Sequence, residues 1–90
     1  MARRKRVWKV KVVERKLGRE KAWGLHEPGD LRALAKVELD PRMPARRWLT
    51  ISIHELLHEA CPEWTHKRVY RVAGLMARTL WAARWRRVMK

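Results

Sequence analysis

Ninety residues, 47% of them hydrophobic, make one small domain with a core that is modest and marginal without help from packing, a metal or a partner, which excludes a large buried core. Twenty-three Lys and Arg against nine Asp and Glu give a formal charge of +14, which favours a polyanion such as nucleic acid, or an anionic surface, as a partner. The single cysteine, Cys61, excludes an intramolecular disulfide, and the absence of a signal-peptide pattern or a long apolar run predicts a cytoplasmic protein with no membrane span.

Residues 1–6, with Arg3, Arg4, Lys5 and Arg6, read as a basic flexible arm, and 7–90 as the folded domain. From Val7 onward, Trp8, Val10 and Val12 alternate with Lys9 and Lys11, the period-two pattern of a half-buried strand, and Gly18 closes the run. Ala22 to His26 is a second short strand with Trp23 and Leu25 on one face. It is followed by Glu27-Pro28-Gly29-Asp30, where Pro then Gly suits the centre of a type II turn. Leu34 to Leu39 is a third strand, with Ala35, Val37 and Leu39 facing one way and Lys36 and Glu38 the other, and Asp40-Pro41 ends it. The three strands read as an antiparallel meander, and the fold class as α+β.

A helix is predicted from near Pro44 to about Ala60, stopped by Pro62, with Leu49, Ile53, Leu56 and Ala60 as its core stripe. Cys61 to Trp64 is a tight connection, and Thr65 is the N-cap of a last helix from His66 to about Val88. That helix has Val69, Val72, Ala73, Met76, Leu80 and Ala83 as its buried stripe.

The first of these helices carries His54-Glu55-Leu56-Leu57-His58, an HExxH pattern. A four-residue step advances about 400° around a helix, so His54 and His58 lie one turn apart on one face and can share a metal ion. Neutral imidazoles suit Zn²⁺, and an unligated carboxylate, Glu55, suits the general base that deprotonates a water acidified by the metal. The pattern points to metal-assisted hydrolysis, usually of a peptide bond.

Two histidines need a third protein ligand. The metzincin pattern would put Gly at Cys61 and His at Trp64, and thermolysin-like enzymes take a Glu from a later helix, whereas no Asp or Glu follows Glu63. His66 is therefore the first candidate, with Glu63 and Glu59 behind it. On an unbroken helix His66 would sit about 12 Å beyond His58, but the break at Pro62 lets two antiparallel helices bring it back.

The segments Val37 to Met43, Ile53 to Cys61 and Val69 to Trp81 resemble small phage and bacterial metallopeptidases, near the SprT-like, minimal gluzincin and ImmA/IrrE-type zincins. The resemblance covers roughly residues 20 to 85 in organisation, and the HExxH segment is its specific part. It implies a short antiparallel sheet before an active-site helix and a second helix that supplies the third ligand. It also implies zinc, with His54 and His58 as ligands, Glu55 as general base and a protein or peptide substrate. Gluzincin-like members place a Glu in the second helix where this chain offers His66, and SprT-like members use a third His at a longer spacing.

Tyr70 follows His66 by four residues on the same helical face, where its phenol could donate to the oxyanion of a tetrahedral intermediate or simply pack. His26, beside a turn, could face the site or be solvated, and solvation is the expectation; Cys61 is expected to be a small buried hydrophobe and not a ligand. An edge strand could pair with an extended peptide substrate. At the C-terminal end Trp81 and Trp85, one turn apart, alternate with Arg84, Arg86, Arg87 and Lys90. These indoles can stack on bases or lie at an anionic surface, or complete a small core under a solvated basic face. Asn, Gln and Phe are absent, and loss of thermolabile amides with many charges is a thermophile pattern.

Overall fold

The computed structural model describes residues 9–18, 22–29 and 34–87; the basic arm, Val7, Trp8, Val88 and Lys90 lie outside these. Three strands, β1 (Val10–Glu14), β2 (Gly24–Glu27) and β3 (Ala35–Leu39), precede two helices, α1 (Ala45–Ala60) and α2 (His66–Ala82). The fold is α+β, as its sequence predicts.

The sheet is not the expected antiparallel meander. Its order is β1-β3-β2, with β1 parallel to β3 (Val10 opposite Ala35, Glu14 opposite Leu39) and β2 antiparallel to β3 (Gly24 opposite Leu39, Glu27 opposite Lys36). The expected turn at Glu27-Pro28-Gly29-Asp30 runs out of the described residues at Asp30; β2 and β3 pair antiparallel, whereas β1 pairs with β3 and not with β2. The centre therefore goes to the strand with the most to bury. Ala35, Val37 and Leu39 are buried, whereas β1 exposes Lys11 and Val12 and takes an edge. Glu38, expected to face outward, is also buried, and it is paired with Arg15 and Lys36. The Arg15 hydrogen bond holds its carboxyl below the usual range.

Just past β3, buried Asp40 accepts from the Leu17 backbone N–H (2.9 Å), the Arg42 backbone N–H (3.0 Å) and Arg42 Nη2 (2.6 Å). The Arg42 guanidinium, then these backbone donors, keep it ionised far below the ordinary carboxylate range. Asp40 thereby ties the segment after β1 to the entry of α1.

The structure stacks sheet, α1 and α2 in that order: α1 packs on β2 and β3, and α2 packs on α1 without extensive contact with the sheet among the described residues. Trp48 and Ile51 of α1 pack against the core of Val37, Leu39 and Met43, and Ser52 and Glu55 are the buried residues of the helix. The expected stripe is thus rotated. Leu49 and Ile53 are half-buried, and Leu56 and Ala60 are exposed. A helix with neighbours on two sides divides its apolar residues between them, and no single stripe describes it. β2 and α1 meet closely at Gly24, where a Cβ would lie 2.5 Å from Ile51 Cγ2 and 3.2 Å from Glu55 Cγ.

Pro44 is the N-cap of α1 and Cys61, just before Pro62, its C-cap. Thr65 caps α2 as expected, its side chain accepting from the Arg68 N–H at 3.1 Å. α2 ends at Ala82, not at Val88. Arg84 adopts a left-handed φ of 70°, its N–H donates to Trp81 O (3.0 Å), and the Trp85 N–H donates to Leu80 O (2.9 Å). These two bonds form a Schellman stop, made without the usual glycine. The buried residues of α2 are Val69, Ala73 and Ala77, spaced four apart. Val72 and Leu80 are half-buried, and Met76 and Ala83, expected inside, are exposed.

Candidate metal centre

The short connection between the helices returns the first residue of α2 to the last turns of α1. His54 Nε2 and His58 Nε2 lie 3.1 Å apart, one turn from each other on α1. The His66 ring centroid is 4.8 Å from that of His54 and 5.4 Å from that of His58. One nitrogen from each of the three falls within 4.8 Å of the others, and no other such group of His, Cys, Asp or Glu occurs among the described residues. The turn set by Pro62 and Thr65 is what permits this convergence.

Burial, followed by the charges of His58 and His66, lowers the pKa of His54; burial, then His66 and His26, lowers that of His58. Imidazoles kept neutral are the form that binds a metal. Glu55, next to His54 but turned toward the sheet under Gly24, is buried, and desolvation raises its pKa against the opposing pull of His26 and His66. A carboxylate pushed upward in this way holds a proton more readily than an exposed one.

Tyr70 stands at the edge of the cluster, its ring 6.4 Å from His54 and 70% exposed, so its phenol is available to solvent and is not packing the core. Glu59 is engaged elsewhere: it accepts from His26 Nε2 at 3.0 Å. Glu63 is exposed and lies outside the cluster. Cys61 is a half-buried free thiol.

The expectation of a solvated His26 is overturned. Its side chain, on β2, is only 14% exposed and stacks on His58 with centroids 6.3 Å apart. All four histidines of the chain therefore gather in one place. A lone His on a four-residue strand carries no local signal of this, because only the β2–α1 packing brings it there.

The tryptophans do not form the expected pair, because the helix stops between them. Trp81 is half-buried with the Arg86 guanidinium 3.6 Å from its ring centroid, and Trp85 is 63% exposed. Arg87 lies 4.6 Å from the Trp48 ring and pairs with Glu14. No described helix is long and apolar enough to cross a membrane. No protein-family model matches the chain, and neither do the curated proteins or the solved structures.

Proposed function

We propose that the chain is a zinc-dependent peptidase of the minimal zincin kind, with His54, His58 and His66 as ligands and Glu55 as general base. The observation that carries this reading is the convergence of three imidazole nitrogens within 4.8 Å beside a buried carboxylate on the same helix. The donor set fits zinc. Two nitrogens each about 2.05 Å from a tetrahedral ion would be about 3.3 Å apart, close to the 3.1 Å between His54 and His58. Three protein ligands would leave a fourth position for water or substrate, the arrangement of catalytic and not structural sites. When bound, zinc would supply a Lewis-acidic charge that polarises a carbonyl and brings the pKa of water near neutrality.

The remaining roles belong to the chain. Glu55, with its raised proton affinity, takes the proton of the attacking water and delivers it to the departing amine nitrogen. Tyr70, exposed beside His54, donates its phenolic hydrogen to the oxyanion that develops on the scissile carbonyl. His26, hydrogen-bonded to Glu59, ties β2 to the ligand-bearing helix. β2 pairs only with β3 among the described strands, so its outer edge offers main-chain partners to an extended peptide.

Metal analysis and peptidase assays on variants test the assignment. Glu55→Gln should retain zinc and lose cleavage, and His58→Ala should lose both. Zinc loss in the Gln variant would make Glu55 a ligand. Failure of the wild type to cleave varied unfolded and DNA-bound proteins would refute the peptidase reading and favour the second one, a basic nucleic-acid-binding module with a structural metal. The exposed Trp85 beside Arg86 and Arg87 supports that alternative.

A further inference from the structure

We propose that a second site, on the far side of α1 from the histidines, binds the alkyl chain of a long-chain aliphatic carboxylate. A cavity of about 430 Å³ lies there, walled by Val12, Val37 and Leu39 of the sheet, by Leu49, Ile53 and Leu56 of α1, and by the indoles of Trp48, Trp81 and Trp85. At 100° per residue, the α1 positions that line it are centred roughly half a turn around the helix from His54 and His58. Because α1 is sandwiched between the sheet and α2, it has two flanks, and one holds imidazoles where the other is apolar. The volume falls in the range of small-molecule sites, which are apolar cavities with few polar groups.

The chemistry of the walls selects the occupant. The hydroxyl of Ser52, which also lines the cavity, is already donated to the Trp48 carbonyl, so a nucleobase would find almost no partners for its polar edge. A second copy of this chain would bring another +14 to a cationic rim. An unbranched alkyl chain asks for no hydrogen bonds at all. Its headgroup is indicated by the two arginines at the cavity. Arg87 is neutralised by Glu14, whereas Arg86, stacked on the Trp81 ring, donates to the main-chain carbonyls of Trp81 and Trp85, at 3.0 and 2.8 Å, and pairs with no carboxylate among the described residues. Trp48, whose indole also lines the cavity, has a buried N–H without an acceptor among the described residues. A cation without a carboxylate partner among the described residues, at the rim of an apolar interior, matches a carboxylate on an aliphatic tail.

Calorimetry and tryptophan fluorescence with octanoate, decanoate and dodecanoate, below their micellar concentrations, test the site. Affinity should tighten about fourfold for each added methylene, as burial of alkyl surface requires. Arg86→Gln should weaken decanoate about tenfold and leave decanol unaffected. Val12→Trp and Leu56→Trp place an indole at exposed positions of the cavity wall and should each abolish binding without lowering the melting temperature. His58→Ala should bind as the wild type does, which separates this site from the metal centre, and loss of binding in that variant would reassign the carboxylate to the histidines. Affinity independent of chain length, or undiminished in both Trp variants that remain folded, would reduce the effect to surface charge and overturn the proposal. So would binding of an acidic leucine-containing peptide or an oligonucleotide where every carboxylate fails.

Discussion

Replacing Gly24 with alanine probes the contact on which the position of Glu55 depends. The new Cβ would lie 2.5 Å from Ile51 Cγ2, where carbon atoms need about 3.5 to 4.0 Å, so strand and helix must separate by roughly 1 Å or Ile51 must leave its rotamer. Overpacking of this kind costs about 1 to 3 kcal/mol. For a domain of this size that is a fall in melting temperature of about 4 to 24 °C, at 4 to 8 °C per kcal/mol. The separation would also carry Glu55, whose Oε2 lies 3.4 Å from the same Cβ. A displacement near 1 Å can cost on the order of 10²-fold in rate. Thermal denaturation of the metal-free protein isolates the packing part. Ile51→Ala removes the methyl that clashes, so the double variant Gly24→Ala/Ile51→Ala should be more stable than the sum of the two single effects by at least ~1 kcal/mol. Strict additivity, or a Gly24→Ala protein that melts with the wild type, would refute the close seating of β2 on α1.

Other consequences can be checked directly. Zinc at a hundred times its dissociation constant should stabilise the fold by about 2.7 kcal/mol, hence raise the melting temperature by about 10 to 20 °C, and chelation should reverse it. An unchanged melting temperature would argue against His66 joining the other two. In the metal-free protein, His54 and His58 have folded pKa values below the ordinary 6.5, so the unfolded chain binds more protons. Their contribution is therefore complete above about pH 6.5 and is lost as pH falls through the lower folded values. Asp40 and Glu38, also depressed, add a second loss below about pH 4. A pH titration of stability should show both stages, and the first should vanish in His54→Ala/His58→Ala. Arg84→Gly, which removes a side chain from a left-handed residue, should raise the melting temperature by a few degrees, whereas Arg84→Ala should not. If the basic charge recruits nucleic acid, filter binding should show affinity falling log-linearly with salt, and no binding at low salt would leave that charge to solvation.

The elements that carry local signals were legible in the sequence, and the way they assemble was not. Pro62 and Thr65 mark the helix break by chemistry that acts within a few residues, and the HExxH spacing places two histidines on one face from helical geometry alone. His66 could be nominated because few alternatives exist in so short a chain. The sheet order was missed because alternation names the faces of a strand but not its neighbours, and β3 gained the centre through its greater burial. The burial of Glu55 on α1 was missed because apolar periodicity ignores a polar residue that a glycine opposite lets in, and that of Ser52 because its hydroxyl is satisfied by the Trp48 carbonyl of its own helix. Arg84 carries no composition cue for a helix stop, since glycine ordinarily takes that position.

The stacking of sheet, α1 and α2 gives the two helices unequal mechanical fates. α2 is held by α1 and by little of the sheet, so its detachment sacrifices one interface while the core of Val37, Leu39 and Met43 stays closed. It is the natural first unit of sub-global opening, and its amides should exchange with solvent deuterium sooner than those of β3. His66 rides on that unit while His54 and His58 ride on the slower one. A shared ion would fasten the two together and bring the exchange of α2 toward that of the global transition.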